Sequence, residues 1–260
     1  MKNILVVITT AFVPTGGLTT VMMNYYRMMN KEEVKIDFAS TNNPPQVLLD
    51  EIHASGSEYC QLPDRKNVLA YFFALKKLCR GYDGMHVHAN SAMAVMELQA
   101  AIWAGIKIRI IHNHSSRSQH NLLNQLFLSL YRRSFTQAVA CSDEAGEWLY
   151  GKNGFITLRN AINAKRFKFD VVKRLIMRHN FGFGDDEYVI GHIGKFMEAK
   201  NHPFLIEVFT KYHALQPKSK LLLIGDGELR HLVEAAIDKN KVNDCVISVP
   251  YTHLTLPTNS

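Results

Sequence analysis

The sequence lacks several features that would assign it to a specialised class of protein. Its cysteines, Cys60, Cys79, Cys141 and Cys245, are far apart and form no C-x-x-C pair, so neither a disulfide framework nor a cysteine-rich zinc module is predicted. No apolar run approaches the roughly 18 residues that span a bilayer. The opening "MKNILVVITT" has no A-x-A-like cleavage site after it, so we interpret it as a first buried strand. These absences favour a reduced, cytoplasmic protein.

Several common catalytic motifs are missing too. The chain has no G-x-S-x-G nucleophile elbow, no P-loop and no G-x-G-x-x-G dinucleotide fingerprint,. Any chemistry must therefore come from positioning and from stabilisation of charge. The composition, 47% apolar and 20% charged over 260 residues, is that of a globular protein long enough for two domains,.

The charge balance favours anionic partners. Thirty Lys and Arg against 23 Asp and Glu give a net charge of +7, which suits nucleotide phosphates, nucleic acid or an acidic membrane surface. No basic run is interleaved with aromatics as a nucleic-acid surface requires. We therefore expect no nucleic-acid partner.

Short apolar runs alternate with segments of helical period, which predicts an α/β fold with a parallel sheet and crossover helices. Several runs are apolar on both faces, as strands covered by helices on two sides should be. The predicted strands are 3–9, 35–40, 84–88, 107–112, 137–142, 188–194, 220–225 and 245–249. The predicted helices are 17–30, 45–55, 66–80, 91–104, 120–134, 142–150, 203–214 and 227–240.

A basic, glycine-containing stretch after residue 158 predicts a domain boundary near 165,. Residues 1–165 would hold a complete doubly wound sheet. Residues 166–249 supply only three strands, about half of such a domain at roughly 30 residues per β-α unit. The ending "PYTHLTLPTNS" (250–260) has two prolines and no helical period, so we expect a non-native tail there, with a natural short tail as the alternative.

Two loops at predicted strand ends carry the features of an anion site. Lys195 and Lys200 lie on a loop that enters a helix at Asn-His-Pro, and Gly225 and Gly227 follow the next strand. Ligands of open α/β sheets bind at this carboxyl edge, where ammonium groups and free helix N–H groups attract phosphate. Taken alone, each loop could equally be a solvated turn.

A Gly-Gly pair and two His-x-His segments lie at other strand ends. Gly16 and Gly17 open the first helix, where they allow close approach of a phosphate or merely form a tight turn,. His86 with His88, and His112 with His114, are each spaced to face one side of a strand. Such pairs could chelate a metal in a metal-dependent hydrolase, or could form a polar cleft wall.

The ordered motifs resemble glycosyltransferase family 4. They are "GGLTTVMMNYYR", "HVHAN", "RIIHNHSS", "VACSDEAGEWLYG", "LRNAIN", "IGHIGKFMEAKNHPFLIEVF" and "LLLIGDGELR", spread over residues 3–249. The resemblance is closest to the bacterial exopolysaccharide and capsule type. It implies a GT-B-like fold, with one complete Rossmann-like domain followed by a partial second one, and sugar transfer with retention from a nucleotide-diphosphate sugar to a glycan or lipid-linked acceptor.

The resemblance also implies roles for residues. Lys195 and Lys200 would grip the diphosphate, His114 would contact the transferred sugar, and these three form the catalytic set. Lining of the nucleotide-sugar site would come from Gly16, Gly17, His88, His112, Gly225, Asp226, Gly227 and Glu228. Neither a metal nor another cofactor is implied, because fixed cations would stabilise the leaving phosphate.

Three departures from the family pattern stand out. Position 195 is Lys where the family usually has Arg, "NAIN" replaces Asn-Gly-Ile-Asp, and the family's acidic E-x7-E segment would follow residue 249 and is absent. We therefore expect a C-terminally truncated transferase of reduced activity. A non-catalytic nucleotide-binding module is a further alternative. The helix at 120–134 could rest on an anionic membrane or pack into the core.

Overall fold

The computed structural model describes residues 1–116 and 121–250, and the chain folds as two units, Met1–Arg166 and a second unit that begins at Phe167. Strands and helices alternate along both units, and all strand pairs are parallel. The predicted α/β class is confirmed, and the structure has a seven-stranded and a three-stranded sheet.

The first unit is a seven-stranded sheet with helices on both faces. Its spatial order is β3-β2-β1-β4-β5-β6-β7. The strands are β1 Lys2–Ile8, β2 Val34–Ser40, β3 Tyr59–Gln61, β4 Gly84–Ala89, β5 Ile108–Asn113, β6 Gln137–Ala140 and β7 Phe155–Thr157. The helices are α1 Gly17–Met28, α2 Gln46–Ala54, α3 Val68–Cys79, α4 Val95–Trp103, α5 Asn121–Ser134 and α6 Asp143–Tyr150.

The two faces of this sheet bury two separate cores, because successive side chains of a strand point to opposite sides. Leu5 and Val7 of β1 belong to the core that contains residues of α3, α4 and α5. Val6 and Ile8 belong to the other core, with residues of α1 and α2. A strand buried on both sides reads as a continuous apolar run, which is why β1 was recognisable.

The second unit is a three-stranded parallel sheet in the order β10-β9-β8. Its strands are β8 Tyr188–Ile193, β9 Ser219–Ile224 and β10 Val246–Val249, and its helices are α7 Val171–Asn180, α8 His202–Leu215 and α9 Arg230–Asn240. Phe196, Ile206 and Phe209 pack with Leu221 and Leu223 in its core. This core holds the ends of β8 and β9, and hence the loops that follow them.

Four elements differ from the prediction. Strands β3 and β7 were missed because each has three residues at an edge of the sheet, too few for an alternating pattern. Helix α7 was missed in its basic stretch, although Asp170 caps it by accepting hydrogen bonds from the N–H groups of Val172 and Lys173. The helix predicted over 91–104 begins as a 3-10 turn at Ala92–Ala94 before α4.

Parts of two predicted segments, residue 120 and residues 251–260, lie outside the described residues. Within the ranges 1–116 and 121–250, every helix is too short or too polar to cross a bilayer.

Candidate functional site

The loops after β8 and β9 interlock at the carboxyl edge of the second unit's sheet. The backbone N–H of Gly194 donates to the carbonyl of Ile224 at 3.0 Å, and that of Phe196 donates to the carbonyl of Asp226 at 2.9 Å. The strand ladder thus continues past both strand ends. Because these two hydrogen bonds lie on either side of Lys195, they fix the position of its backbone at the sheet edge.

Gly225 and Gly227 are required by this close approach. A Cβ atom on Gly225 would overlap the carbonyl oxygen of Gly194, and one on Gly227 would overlap that of Phe196. Backbone atoms cannot move aside as a flexible side chain can. The two glycines therefore allow the loops to pack, a structural role that sequence alone did not separate from phosphate binding.

The two predicted cations have different surroundings. The ammonium of Lys195 lies 3.3 Å from a carboxylate oxygen of Glu228, with both side chains exposed, so the pair is weak and exchangeable. Lys200 ends the 3-10 turn Glu198–Lys200. Among the described residues, no carboxylate lies within ion-pair distance of its ammonium, which leaves that charge available to a ligand.

Helix α8 begins directly after Lys200 with no side-chain cap. Asn201 adopts a left-handed conformation with φ of 45° and its side chain makes no capping hydrogen bond. His202 is buried, and its Nε2 has no partner within the described residues. Burial, then His192 and Lys200, lower the pKa of His202, so the positive charge at this helix entrance comes from the N–H groups and Lys200.

Asp226 is engaged within its own loop. Its carboxylate accepts hydrogen bonds from the Arg230 guanidinium at 2.9 Å and from the Gly227 N–H at 2.8 Å. The Arg230 bond, followed by the Gly227 bond, lowers the pKa of this carboxyl. Arg230 also donates to the Gly225 carbonyl at 3.2 Å and lies over the Phe196 ring. It thereby holds both loops together.

In the first unit, Gly16 and Gly17 lie where α1 begins, after the loop that leaves β1. The N–H of Gly16 donates to the carbonyl of Val13 at 2.9 Å. A Cβ on Gly16 would crowd that same oxygen, whereas one on Gly17 would meet no atom within 4 Å. A side chain at Gly16 would thus be a tight fit in the turn, whereas the surface at Gly17 is open.

Four histidines from β4, β5 and the loop after β5 form one cluster. His88 and His112 are register partners, and His86 precedes His88 by two residues on the same face. The backbone N–H of His114 donates to the Ala89 carbonyl at 3.2 Å, which extends the ladder. Nδ1 of His88 lies 2.9 Å from Nε2 of His114. The two sequence pairs thus form a single constellation across two strands.

These imidazoles are kept neutral. Burial, followed by the neighbouring His114, lowers the pKa of His86 to about 4 and that of His112 to about 2. Burial also lowers the pKa of His114 to about 4. Burial, with the other three rings, lowers the pKa of His88 well below its ordinary value. The cluster offers uncharged donors and acceptors at pH 7.

The cluster borders a cavity of about 370 Å³ that is otherwise apolar. Its floor comes from the inner strands, its wall from α1, and His86, His88 and His112 supply its polar part. Tyr25 and Leu158 also line the cavity. The Tyr25 hydroxyl donates a hydrogen bond to the carbonyl of Arg159.

Each group of predicted residues is thus brought together within one unit. Residues of the second unit's site are Lys195, Lys200, Gly225, Asp226, Gly227 and Glu228, whereas His88, His112 and His114 belong to the first. Sequence reasoning missed Arg230, His192 and His202. A signal existed for Arg230, because its spacing of four from Asp226 suits an ion pair at a helix start.

The chain is similar to known proteins over most of its length. It is 27% identical over 246 residues to the putative glycosyltransferase EpsF of Bacillus subtilis, an alignment that covers 88% of this chain and 64% of EpsF. The chain therefore spans less than two thirds of that relative.

Solved structures share the fold. Anabaena Alr3699/HepE in complex with UDP and glucose superposes with a TM-score of 0.77 at 15% identity, covering 96% of this chain and 69% of HepE. The UDP-GlcNAc 2-epimerase of Neisseria meningitidis bound to UDP-GlcNAc gives a TM-score of 0.60 at 14% identity, covering 95% and 72%. At these identities the comparison shows the GT-B architecture, which transferases and epimerases both use.

The family model separates these possibilities. The model described as Glycosyltransferase Family 4 matches residues 15–172, a span that contains the Gly-Gly turn and all four clustered histidines. The chain, whose sequence motifs and fold already pointed the same way, belongs to glycosyltransferase family 4.

Proposed function

We propose that this protein transfers a sugar, with retention of configuration, from a nucleoside-diphosphate sugar to a glycan or lipid-linked acceptor in cell-surface polysaccharide synthesis. One observation carries the proposal. At the carboxyl edge of the β8–β9 sheet, the cation Lys200 immediately precedes Asn201 and the uncapped N-terminus of α8. Both terms attract a diphosphate.

The chemistry follows from where charge develops. When the bond between sugar and diphosphate breaks, negative charge grows on the leaving phosphate. Lys195, Lys200 and the N–H groups of α8 would stabilise that charge, and one such preorganised group contributes about 3 kcal/mol. Transfer by this route needs neither a metal nor another cofactor. The nucleotide sugar is a co-substrate.

Glu228 is a partner that Lys195 can exchange for phosphate. In the structure the Lys195 ammonium pairs with a carboxylate oxygen of Glu228 at 3.3 Å. A diphosphate carries more charge than a carboxylate, so Lys195 would exchange Glu228 for phosphate on binding. The freed carboxylate of Glu228 would then accept hydrogen bonds from hydroxyl groups of the nucleotide sugar.

His114 would orient the sugar rather than carry charge. With a pKa of about 4 its ring is neutral at pH 7, and its Nε2 is already paired with His88. Nδ1 of His114 would then form a hydrogen bond with a sugar hydroxyl. His88 and His112 hold His114 in place. The rings of His112 and His114 stack with their centroids 4.2 Å apart.

Nucleotide binding is tested by calorimetric titration of UDP, GDP and ADP into the purified chain. We expect one of them to bind, and Lys200→Ala to weaken that binding about tenfold, the loss of one charge-assisted contact. Lys211→Ala, on the exposed surface of α8, is the matched control and should bind as the parent does. Equal affinities for both variants would contradict the diphosphate assignment.

Transfer and its stereochemistry need a separate assay. Release of nucleoside diphosphate from a panel of sugar donors identifies the donor, and proton NMR of the product reports its anomeric configuration. His114→Ala should abolish turnover while leaving nucleotide affinity unchanged. If nucleotide binds but neither parent nor variant turns over any donor, transfer by these 260 residues is contradicted and only nucleotide binding stands.

Membrane contact is the second part of the proposal. Two roles were expected for α5. Core packing applies to Tyr131, which is buried, whereas Leu122, Leu126 and Leu130 are exposed at a spacing of four residues. Arg132 and Arg133 follow in the last turn of the helix. An apolar stripe that ends in cations matches the surface of an anionic bilayer.

Neighbouring helices extend this surface, since α3 packs beside α4 and α4 beside α5. Leu69 and Phe73 of α3 are exposed, and the Lys76 ammonium lies over the Trp103 ring. Co-sedimentation with anionic vesicles should fall for Leu126→Glu. Leu215→Glu, at an exposed position of α8, is the control, and neutral vesicles should bind neither protein.

A further inference from the structure

We propose that His86, His88 and His112 form a binding site for a borderline transition-metal ion such as Zn²⁺. The site adjoins His114 of the proposed transfer machinery, whose own chemistry needs no metal. It ties β4 to β5 on the face of the sheet that carries the cavity.

The sheet register places the three ligands. His88 and His112 are partners across β4 and β5, and His86 lies on the same face two residues earlier. One ring nitrogen from each residue lies within 4.8 Å of the others. Three nitrogens around a tetrahedral zinc ion are about 3.3 Å apart. Side-chain rotations that move nitrogens by about 1.5 Å therefore complete the coordination.

Unpaired nitrogens show that the cluster is not satisfied by the protein. Within the described residues, Nε2 of His86 and both ring nitrogens of His112 are buried without a hydrogen-bond partner. Buried polar atoms normally have one, because leaving them unpaired costs free energy. A metal ion would supply a partner to each of these two rings.

His114 acts as an outer partner. Its Nε2 lies 2.9 Å from Nδ1 of His88, which leaves Nε2 of His88 for the ion. Metal-binding histidines generally use their second nitrogen in this way, and the partner fixes the orientation of the ring.

The ligand set selects the class of ion. In the described part of the chain the group contains imidazoles only, with neither carboxylate nor thiolate. Imidazole favours zinc, copper or nickel, whereas magnesium and calcium require oxygen ligands. The cavity of about 370 Å³ reaches all three rings and so provides both an entry path and room for a water or small ligand at a fourth position.

Metal binding is tested on untagged protein stripped with a chelator and then titrated with ZnCl₂ or MgCl₂ in a calorimeter. We expect one zinc per chain with micromolar or tighter affinity, a higher melting temperature with zinc, and no response to magnesium. His86→Phe, which keeps the ring shape, should lower zinc affinity at least tenfold. His53→Phe, at a half-exposed position of α2, should bind as the parent does.

The proposal is overturned if the parent shows no saturable zinc binding, or if His86→Phe binds zinc as tightly as the parent. Far-UV circular dichroism verifies that His86→Phe is folded. Should that variant lose its spectrum, His86→Gln carries the same comparison. None of these readouts depends on transferase activity, so they stand or fall separately from the proposed function.

Discussion

Acidification should destabilise the first unit through its histidine cluster. In the folded protein the pKa of His86 is about 4, that of His112 about 2 and that of His114 about 4, with burial as the main cause. In the unfolded chain each ring would titrate near its ordinary value of roughly 6.5. The folded state therefore resists protonation that the unfolded state accepts.

The sign follows from proton linkage. Between the folded and unfolded pKa values the unfolded chain binds more protons, so the free energy of unfolding rises with pH. This stabilisation is fully present above about pH 7 and decreases as the pH falls through roughly 6.5. For His86 the decrease ends near pH 4, where the folded ring also becomes protonated.

The magnitude can be worked out for His86. A ring whose pKa falls from 6.5 to about 4 on folding loses about 2 kcal/mol of stabilisation between pH 8 and pH 5. His86→Phe removes this ring and places a similar shape beside the cavity. The variant should therefore lose about 2 kcal/mol less than the parent over the same interval.

Urea unfolding followed by tryptophan fluorescence measures this difference. The chain has two tryptophans, Trp103 and Trp148, and both lie in the first unit, so the signal reports that unit. Measurements at pH 8 and pH 5 contain a chelator to keep the cluster metal-free. His53→Phe is the control, and its pH response should match that of the parent.

One outcome would refute the reasoning. If the parent and His86→Phe lose equal free energy between pH 8 and pH 5 with unchanged m-values, the ring is not held neutral by the fold. A changed m-value would instead indicate an altered unfolded state.

Two further predictions concern packing. Gly225→Ala should destabilise the second unit by about 2 kcal/mol, because its Cβ would overlap the Gly194 carbonyl; Gly191→Ala, which meets no atom within 4 Å, should cost far less in a thermal melt. Arg65→Ala should lower the urea midpoint of the first unit by an amount equivalent to about 3 kcal/mol, since the fully buried Glu97 carboxylate loses its partner at 2.9 Å. An unchanged midpoint would show that Glu97 is satisfied elsewhere.

The sequence was most informative where strands are buried on both faces. The run that became β1 and the alternation of such runs with helical segments sufficed for the α/β class. Short edge strands such as β3 and β7 were invisible, because three residues carry no periodicity. Helix α7 was missed because its basic residues were interpreted as a boundary stretch, although Val171, Val172, Leu175 and Ile176 recur at helical spacing.

For the proposed anion site, the sequence pointed to the residues but not to the contacts between them. Lys195 and Lys200 were identified from their place before a helix, and they lie at the sheet edge as expected. That Glu228 pairs with Lys195, and that Arg230 clamps Asp226, depends on how the β8 and β9 loops close against each other. Lys195 and Glu228 are more than thirty positions apart in the sequence. Asp226 and Arg230 are close in sequence, but they lie in a turn whose geometry the sequence does not specify.

By itself the sequence determined which residue types follow each buried strand, because periodicity and local preferences act over a few residues. Only the tertiary structure decided that two separate His-x-His segments form one cluster. That outcome depends on the register of β4 against β5, and a shift of one residue would have turned His112 to the opposite face. Strand pairing is set by the whole core, so no local stretch of the chain encodes it.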